Sequence, residues 1–457
     1  MKKHVLLFLL LLLLLPCNGF AETGDSTGFE LDKLGEDTVF LVNADDPDHA
    51  VLGLAKNEDE RRYPASTTKI LTCIIALETA DLDEPVKVSK RACNLSPKNS
   101  KMGLKPGESF PLIDLLYGLM LPSGNDAAIA IAEHLGGSVS GFAELMNKKA
   151  AELNMHDSHF TNPSGLHNSD HYTTAHDLAV LTAYALQNER FAQIVSTVVY
   201  DAQSTAGRKI ELRNVNRLLR DATASDYKPY SCLYEYAIGV KTGDTHLAGR
   251  CLVAAARRGN TTYICVLLRG EAAPDGAKRL EKDRYLAQRF YDAIDLFEYA
   301  FLNDTVELSI SDLKERCLPD TYAIPLDPLK YGATEALYSI DWHEGESLSL
   351  PRWQADLFAK DPFPEENLRY AIHSYTAPVG SKAGTVTIES DGTPVFTGDL
   401  IVEEYNVPPT PEPSPTPYFP VTELSPTATA QPGTAPSDTP GVFEWFFRLF
   451  RCNPTTP

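Results

Sequence analysis

A chain of 457 residues is too long for one ordinary core and leaves room for two or three folded units with connecting segments. Hydrophobic residues at 43% and charged residues at 23% match soluble globular proteins and argue against both general disorder and a polytopic membrane protein. A formal charge of −21 argues against a phosphate-tracking nucleic-acid binder, which needs a basic patch to displace counterions.

Residues 1–21 read as a secretory signal: Lys2, Lys3 and His4 form a basic start, Val5 to Leu15 an unbroken apolar run, and Gly19-Phe20-Ala21 a small-x-small cleavage site. The run is shorter than the ~20 residues that span a bilayer, so cleavage near Glu22 and export are expected over an uncleaved anchor. Cys17 follows Leu14-Leu15-Pro16, a poor match to a lipidation site, where a small residue precedes the cysteine. Cys73, Cys93, Cys232, Cys251, Cys265, Cys317 and Cys452 are scattered, without the close pairs of a disulfide framework or zinc knuckle, and most are expected as small buried hydrophobes.

From residue 28 to about 305 the pattern is that of one mixed unit. Apolar runs Val39 to Val42 and Val51 to Leu54, separated by Asn43-Ala44-Asp45-Asp46-Pro47-Asp48, predict a hairpin. Ile70, Ile74 and Leu77 recur at helical spacing after Ser66, which therefore sits at a helix start. Helical patterns follow at Leu112 to Leu121, Asp126 to Leu135, Phe142 to Leu153 and Thr174 to Ala185, then buried strands at Leu252 to Ala256 and Tyr263 to Leu267, and a closing helix at Tyr285 to Phe301. Strands at both ends of a helical middle predict an α+β domain whose sheet joins N-terminal and C-terminal segments.

Residues 306–406 change to short β-like runs, such as Tyr370 to His373, Gly384 to Ile388 and Leu400 to Val402, with turn signals like Asp391-Gly392, and predict a small β domain. Residues 407–440 are dense in Pro, Thr and Ser, cannot bury a core, and read as an extended tether. In the last segment, 441–457, Glu444, Arg448 and Arg451 form one polar stripe on a helix otherwise rich in Phe443, Trp445, Phe446, Phe447, Leu449 and Phe450. At 1.5 Å per residue Val442 to Cys452 covers only about 16 Å, which suits lying in a membrane interface and not crossing it.

Three motifs occur in order: Ser66-Thr67-Thr68-Lys69, Ser123-Gly124-Asn125 and Lys241-Thr242-Gly243. The first is weak by itself, because Ser225-Asp226-Tyr227-Lys228 and Ser311-Asp312-Leu313-Lys314 repeat its spacing, whereas Ser-x-Asn and Lys-Thr-Gly each occur once. The set is that of penicillin-binding proteins and class A β-lactamases. A serine hydroxyl needs an adjacent base at neutral pH, and an amine one helical turn away can serve if its pKa is lowered, here by burial and by a second cation at Lys241. A helix N-terminus also puts the backbone N–H of Ser66 where an oxyanion can form.

Tyr63-Pro64-Ala65-Ser66-Thr67-Thr68-Lys69 resembles the active-site segment of low-molecular-mass penicillin-binding proteins, the serine-type D-alanyl-D-alanine carboxypeptidases. Asn162-Pro163-Ser164-Gly165-Leu166, Tyr172-Thr173-Thr174-Ala175 and Ile238-Gly239-Val240-Lys241-Thr242-Gly243 are similar to further segments of that family, and the β domain, tether and terminal helix follow its layout. The resemblance implies a penicillin-binding, β-lactamase-like transpeptidase domain, a sheet with a helical subdomain, followed by a small β-sandwich-like domain. It implies removal of the terminal D-Ala from peptidoglycan stem peptides through an acyl-enzyme, at the outer face of the cytoplasmic membrane, with β-lactams as covalent inhibitors and no cofactor. Carried over by position, Ser66 is the nucleophile, Lys69 its base, and Ser123 with Asn125 relays protons and orients substrate. Lys241, Thr242 and Gly243 hold the substrate carboxylate, and the backbone N–H groups of Ser66 and Asp244 form the oxyanion hole. Asp244 departs from the family, which usually has His or an aromatic there, and should weaken binding unless Lys241 or Arg250 neutralises it.

His156, His159, His167, His171 and His176 crowd one stretch, but no helical His-x-x-x-His pair bearing a Glu is present, so loop histidines and no metal are expected. A β-lactamase is the alternative enzyme, and a catalytically silent wall-binding or membrane-associated protein the alternative from another class. The first would need a carboxylate-held water, and no Glu-x-x-x-Asn loop stands out between Ser123 and Lys241.

Overall fold

The first two apolar runs pair as strands β1 (Glu36–Asn43) and β2 (Asp46–Lys56), joined by a turn tighter than the six-residue loop expected, because Asn43 already pairs with Asp46. Asn43 Oδ1 accepts from the Asp45 N–H at 2.9 Å, the local bond that makes Asn a turn former. The computed structural model describes residues 29–220, 231–271, 277–316, 318–343, 345–358, 367–390 and 393–407. The expected signal, the tether past Val407, the terminal aromatic segment, Ser225 to Lys228, the Asp391-Gly392 turn, Cys317 and Cys452 lie outside the described residues.

The helical middle runs through α1 (Lys69–Thr79), the small pair β3 (Pro85–Lys87) and β4 (Ser109–Pro111) flanking α2 (Lys90–Cys93), then α3 (Leu112–Met120), α4 (Asn125–Gly136), α5 (Val139–Glu152), α6 (Ala175–Leu186) and α7 (Glu189–Ser196). Four of these helices start on side-chain caps: Ser89 accepts from Ala92 N, Ser138 from Gly141 N, Thr174 from Asp177 N, and Asn188 from Arg190 N and Phe191 N. Each such cap contributes about 1 kcal/mol by satisfying an orphan N–H. A hairpin of β5 (Val199–Gln203) and β6 (Lys209–Arg213) follows, which the residue pattern does not signal because both strands bury only part of one face.

Strands β7 (Ala237–Thr245), β8 (Gly249–Arg258) and β9 (Thr261–Gly270) complete an antiparallel sheet of order β2-β1-β9-β8-β7, so β1 joins the C-terminal strands as expected. Alternate side chains leave this sheet on opposite faces. Phe40 and Val42 enter one core with Ile70 and Ile74 of α1, while Val39 and Leu41 enter a second with Phe290, Phe297 and Phe301 of α8 (Arg279–Asn303). Both faces being covered explains why β1 reads as a continuous apolar run.

The chain continues through β10 (Thr305–Ser309), α9 (Ile310–Arg316), β11 (Thr321–Pro325), α10 (Pro328–Tyr331), β12 (Glu335–Asp341), β13 (Ser347–Pro351), α11 (Arg352–Phe358), β14 (Leu368–Ile372), β15 (Lys382–Ser390) and β16 (Thr393–Asn406). A five-stranded sheet, β11-β12-β16-β15-β14, and the pair β10-β13 enclose one core around Tyr338, Trp342, Val386 and Leu400. The β domain thus carries short helices that its residue pattern does not announce. It meets the catalytic unit where Trp353 Nε1 donates to Phe301 O at 3.0 Å and Arg352 grips Asp304. Among the described residues, no helix is long and apolar enough to cross a membrane.

Candidate active site

Ser66 lies in a 3-10 turn, Ala65–Thr68, that runs into α1, and not in the first turn of the α-helix itself. Thr67 Oγ1 donates to Pro64 O at 2.8 Å, and Ala65, Thr67 and Thr68 are buried, which leaves Ser66 as the partly exposed member of the turn. Lys69 is fully buried, with its Nζ 2.8 Å from Ser66 Oγ, 2.7 Å from Asn125 Oδ1 and 2.8 Å from Ser164 O. Burial first, and then the field of Lys241, hold its pKa well below the usual lysine range, against an opposing pull from Asp126. A lysine ammonium would donate to all three oxygens; a neutral amine has two hydrogens and one lone pair, so with Asn125 Oδ1 and Ser164 O taking the hydrogens the lone pair would be left for the Ser66 hydroxyl.

The Ser164 carbonyl is a partner that residue spacing does not give. It is aimed by Asn162, whose Oδ1 accepts from Ser164 N at 3.1 Å and Gly165 N at 2.9 Å, and by Thr72 Oγ1, which donates to Pro163 O at 2.8 Å. Gly165 adopts φ +76°, and a Cβ there would sit 1.7 Å from Ala65 O, so only glycine lets this loop close on the Ser66 turn. Behind the same turn, His171 Nδ1 accepts from Thr161 N at 3.1 Å, which leaves Nε2–H to donate to Thr68 Oγ1 at 2.9 Å. Burial pushes His171 down to about 4, so this ring is a neutral brace. His159 meets Asp170 O and His176 lies 3.5 Å from Asp48. Among the described residues, no three His, Cys, Asp or Glu side chains group to hold a metal.

Ser123 takes φ +61°, a strained backbone for a non-glycine residue, and its Oγ is buried without a hydrogen-bond partner. Its neighbour Gly124 presses on Gly118 O, which a Cβ would approach to 2.6 Å. Asn125 opens α4, and buried Asp126 accepts from the backbone N–H groups of Met102, Gly103 and Leu104, fixing the loop beside it.

Lys241, Thr242 and Gly243 stand on β7, the edge strand, paired on one side with Val253, Leu252 and Cys251 of β8. A Cβ on Gly243 would lie 3.1 Å from Ser66 N and 2.9 Å from Pro64 O, so the glycine brings this strand against the Ser66 amide. Lys241 is buried, donates to Thr242 O at 2.8 Å, and is held down to about 7 by burial and by Arg289, with Asp244 pulling the other way. Asp244 is neutralised by Arg250 Nη1 at 2.8 Å, as the sequence allows, and also by Arg289, whose Nη1 and Nη2 donate at 2.9 and 3.1 Å. Arg289 also donates to Gly243 O and Cys251 O. Nothing in the residue pattern marks this arginine of α8.

Of the remaining sequence candidates, Ser311 and Lys314 fall on α9 in the β domain, with Lys314 3.7 Å from Asp320. Cys73, Cys232, Cys251 and Cys265 are buried free thiols and Cys93 is half-buried.

A family model described as D-alanyl-D-alanine carboxypeptidase matches residues 42–272, which hold all three motifs. The chain belongs to the D-alanyl-D-alanine carboxypeptidase family. This serine-type enzyme is 35% identical over 224 residues to D-alanyl-D-alanine carboxypeptidase DacF of Bacillus subtilis, a match over 48% of this chain and 54% of that protein, so just over half of that relative's length is spanned. It is 35% identical over 234 residues to a D-alanyl-D-alanine carboxypeptidase of Streptomyces, covering 48% of this chain and 76% of that one. DacA of Haemophilus influenzae aligns over 76% of this chain and 80% of its own at 27% identity. The crystal structure of the Streptomyces K15 DD-transpeptidase superposes with a TM-score of 0.50 at 30% identity, covering 58% of this chain and 97% of that chain. The carboxypeptidase carries the mixed α and β transpeptidase-type fold of these neighbours, and neither the β-lactamase nor the catalytically silent alternative is favoured.

Proposed function

We propose that the enzyme releases the terminal D-Ala from pentapeptide stems by an acyl-enzyme route in which Ser66 is the nucleophile and Lys69 its base. The observation that carries this is the buried Lys69 amine, which has the carbonyl oxygens of Asn125 and Ser164 and the Ser66 hydroxyl within hydrogen-bond distance. Ser66 Oγ attacks the carbonyl of the penultimate D-Ala while its proton passes to Lys69 Nζ. The oxyanion is received by the backbone N–H groups of Ser66 and Asp244. Ser123, with its unused hydroxyl, carries the proton toward the leaving amine, and Asn125 orients the acyl chain. Lys241, Thr242 and Gly243 bind the free carboxylate of the last residue, which favours cleavage at the chain end. Water then clears the ester.

The supporting frame is a catalytic unit at 28–305, a β domain at 306–406, a tether at 407–440 and a membrane-associating segment at 441–457. Export rests on the basic and apolar residues of 1–21, and peripheral attachment to the outer face of the cytoplasmic membrane on the aromatic stripe of Val442 to Cys452. Peptidoglycan stem peptides are the substrate and β-lactams the covalent inhibitors, since the lactam ring presents the same acyl centre to Ser66.

Incubation of the purified chain with a peptide ending in D-Ala-D-Ala, with and without EDTA and an amine acceptor, tests this. Free D-Ala unaffected by EDTA, with a penicillin adduct on Ser66, is expected. Dominant cross-linked product would make it a transpeptidase, and EDTA-sensitive release a metallopeptidase.

A further inference from the structure

Glu36 opens β1 and is 3% exposed, with its Oε2 buried and no donor reaching it. A Cβ on Gly270 would lie 3.1 Å from both Glu36 Oε1 and Arg250 Cβ, so this carboxyl lies against β8 at Arg250. Its neighbour is Asp292 of α8, equally buried, which accepts from Gly35 N at 3.0 Å and Gln288 Nε2 at 2.8 Å. Asp292 stands one helical turn from Arg289, the residue that clamps Asp244. Asp292 is the side-chain hydrogen-bond partner of Glu36; two buried carboxyls so placed disfavour a second negative charge, and an oxygen without a donor is an unfavourable place for one.

The surrounding cations are already engaged with other acids, although Nε of both Arg250 and Arg289 is buried without a hydrogen-bond partner. From β2, Lys56 reaches Glu36 O at 3.5 Å but pairs with Asp32 at 3.4 Å. From β8 and α8, the guanidiniums of Arg250 and Arg289 are balanced by Asp244 and Asp292, and the other titratable groups within Glu36's field are the thiols of Cys251 on β8 and Cys265 on β9. The Nε of Arg289 is buried without a partner, a donor left over in the same cluster as the left-over Glu36 oxygen.

We propose that Glu36 is a positioning residue for this reaction: as a neutral acid hydrogen-bonded to Asp292 it leaves Arg289 clamped on Asp244 and Gly243, and its ionisation draws the guanidinium away. The inference rests on the proposed carboxylate subsite at Lys241 to Gly243. Once Arg289 leaves, the Asp244 carboxylate stands beside the substrate's own carboxylate with only Arg250 to offset it, and capture weakens while the Ser66 and Lys69 chemistry is untouched. Burial, with Asp292 adding to it, raises Glu36 from 4.5 to about 9, which puts the release in the alkaline range.

The test is KM and kcat of the full chain on a D-Ala-D-Ala peptide from neutral to about pH 10.5, for wild type, Glu36→Gln and Asp292→Asn. Wild type is expected to show log KM steepening above the Glu36 transition, by up to about one further unit per pH unit beyond the slope that the Lys241 limb already gives. Glu36→Gln, neutral at every pH, removes that limb and keeps the one near 7 that belongs to Lys241. Asp292→Asn moves the limb toward acid, because the neighbour that holds the Glu36 proton is lost. The same limb in Glu36→Gln, a loss that is equal at all pH values, or an unmoved limb in Asp292→Asn overturns the proposal. No D-Ala release by wild type at neutral pH overturns the functional reading instead.

Discussion

The two buried lysines of the site, Lys69 and Lys241, live in opposite surroundings. Lys69 meets neutral acceptors, Ser66, Asn125 and the Ser164 carbonyl, and the field that reaches it from its partner lysine adds to burial. Lys241 sits on a strand end crowded with fixed charge, where Asp244 counteracts burial and Arg289 adds to it, and it stops at about 7. Under the proposed roles, the difference teaches how one fold would make a base from one amine and an anion holder from another: leave only the weaker pull of Asp126 against burial at the first, and a partly balanced ion cluster around the second.

The largest break in that comparison is Lys69→Ala. It is expected to lower the rate of Ser66 acylation by about a thousandfold with little change in KM, the size of a lost general base. Stopped-flow acylation by a chromogenic β-lactam measures it, and an effect on KM alone would mean that Lys69 only binds.

Lys241→Ala comes next, with KM for a free-carboxylate peptide raised roughly tenfold to a hundredfold by loss of a charge-assisted contact. An amidated peptide sharpens the contrast: wild type and variant should treat it alike. A variant that still prefers the carboxylate removes Lys241 from the subsite.

Asp244 is where the structure takes the branch that the sequence left open, with Arg250 on the carboxylate and Arg289 added. Alone, the carboxylate looks repulsive to an anionic substrate, but it is bound by Arg250 and by Arg289, which is 5% exposed at the side chain. Asp244→Asn leaves a buried guanidinium without its partner, so stability is expected to fall by about 1–3 kcal/mol in thermal unfolding, discounted for the exposed side of the pair. A stabilised variant with unchanged KM would show that the cluster does not hold the strand.

A last effect, on the fold and not on the reaction, is on stability against pH. The folded chain holds a proton on Glu36 between 4.5 and about 9 that the unfolded chain has lost, so folding weakens as pH rises through that window, by up to about 1.4 kcal/mol per pH unit, and levels off above it. Glu36→Gln should therefore unfold at a higher temperature than wild type near about pH 8 and at an equal one near about pH 4. Equal midpoints at both would place the ionised form in the fold.

The helical half of this site was legible and the strand half only in part, for a physical reason. Ser66 and Lys69 announce themselves as a pair because a spacing of three residues at a helix start brings the two side chains together, and Asn125 and Gly243, picked out by motif, also come to them. The Ser164 carbonyl is backbone and carries no residue signature beyond the Asn162 and Gly165 that aim it. Arg289 and Asp292 look like ordinary polar positions of an amphipathic helix, and only the packing of α8 on the sheet brings them to Asp244 and Glu36. In the fold, long periodic helices and the strands buried on both faces stood out. The half-exposed β5–β6 hairpin and the short helices α9, α10 and α11 did not, since a turn or two of helix shows no full period.

The nitrogen-15 shift of the Lys69 amine, assigned in the full chain by comparison with a Lys69→Arg variant, tests the central claim most directly. A neutral amine at neutral pH, turning to ammonium only on acidification and in step with loss of Ser66 acylation, is the result predicted. An ammonium that persists to about pH 10, the range of an ordinary lysine, would contradict it and take the general-base role away from Lys69.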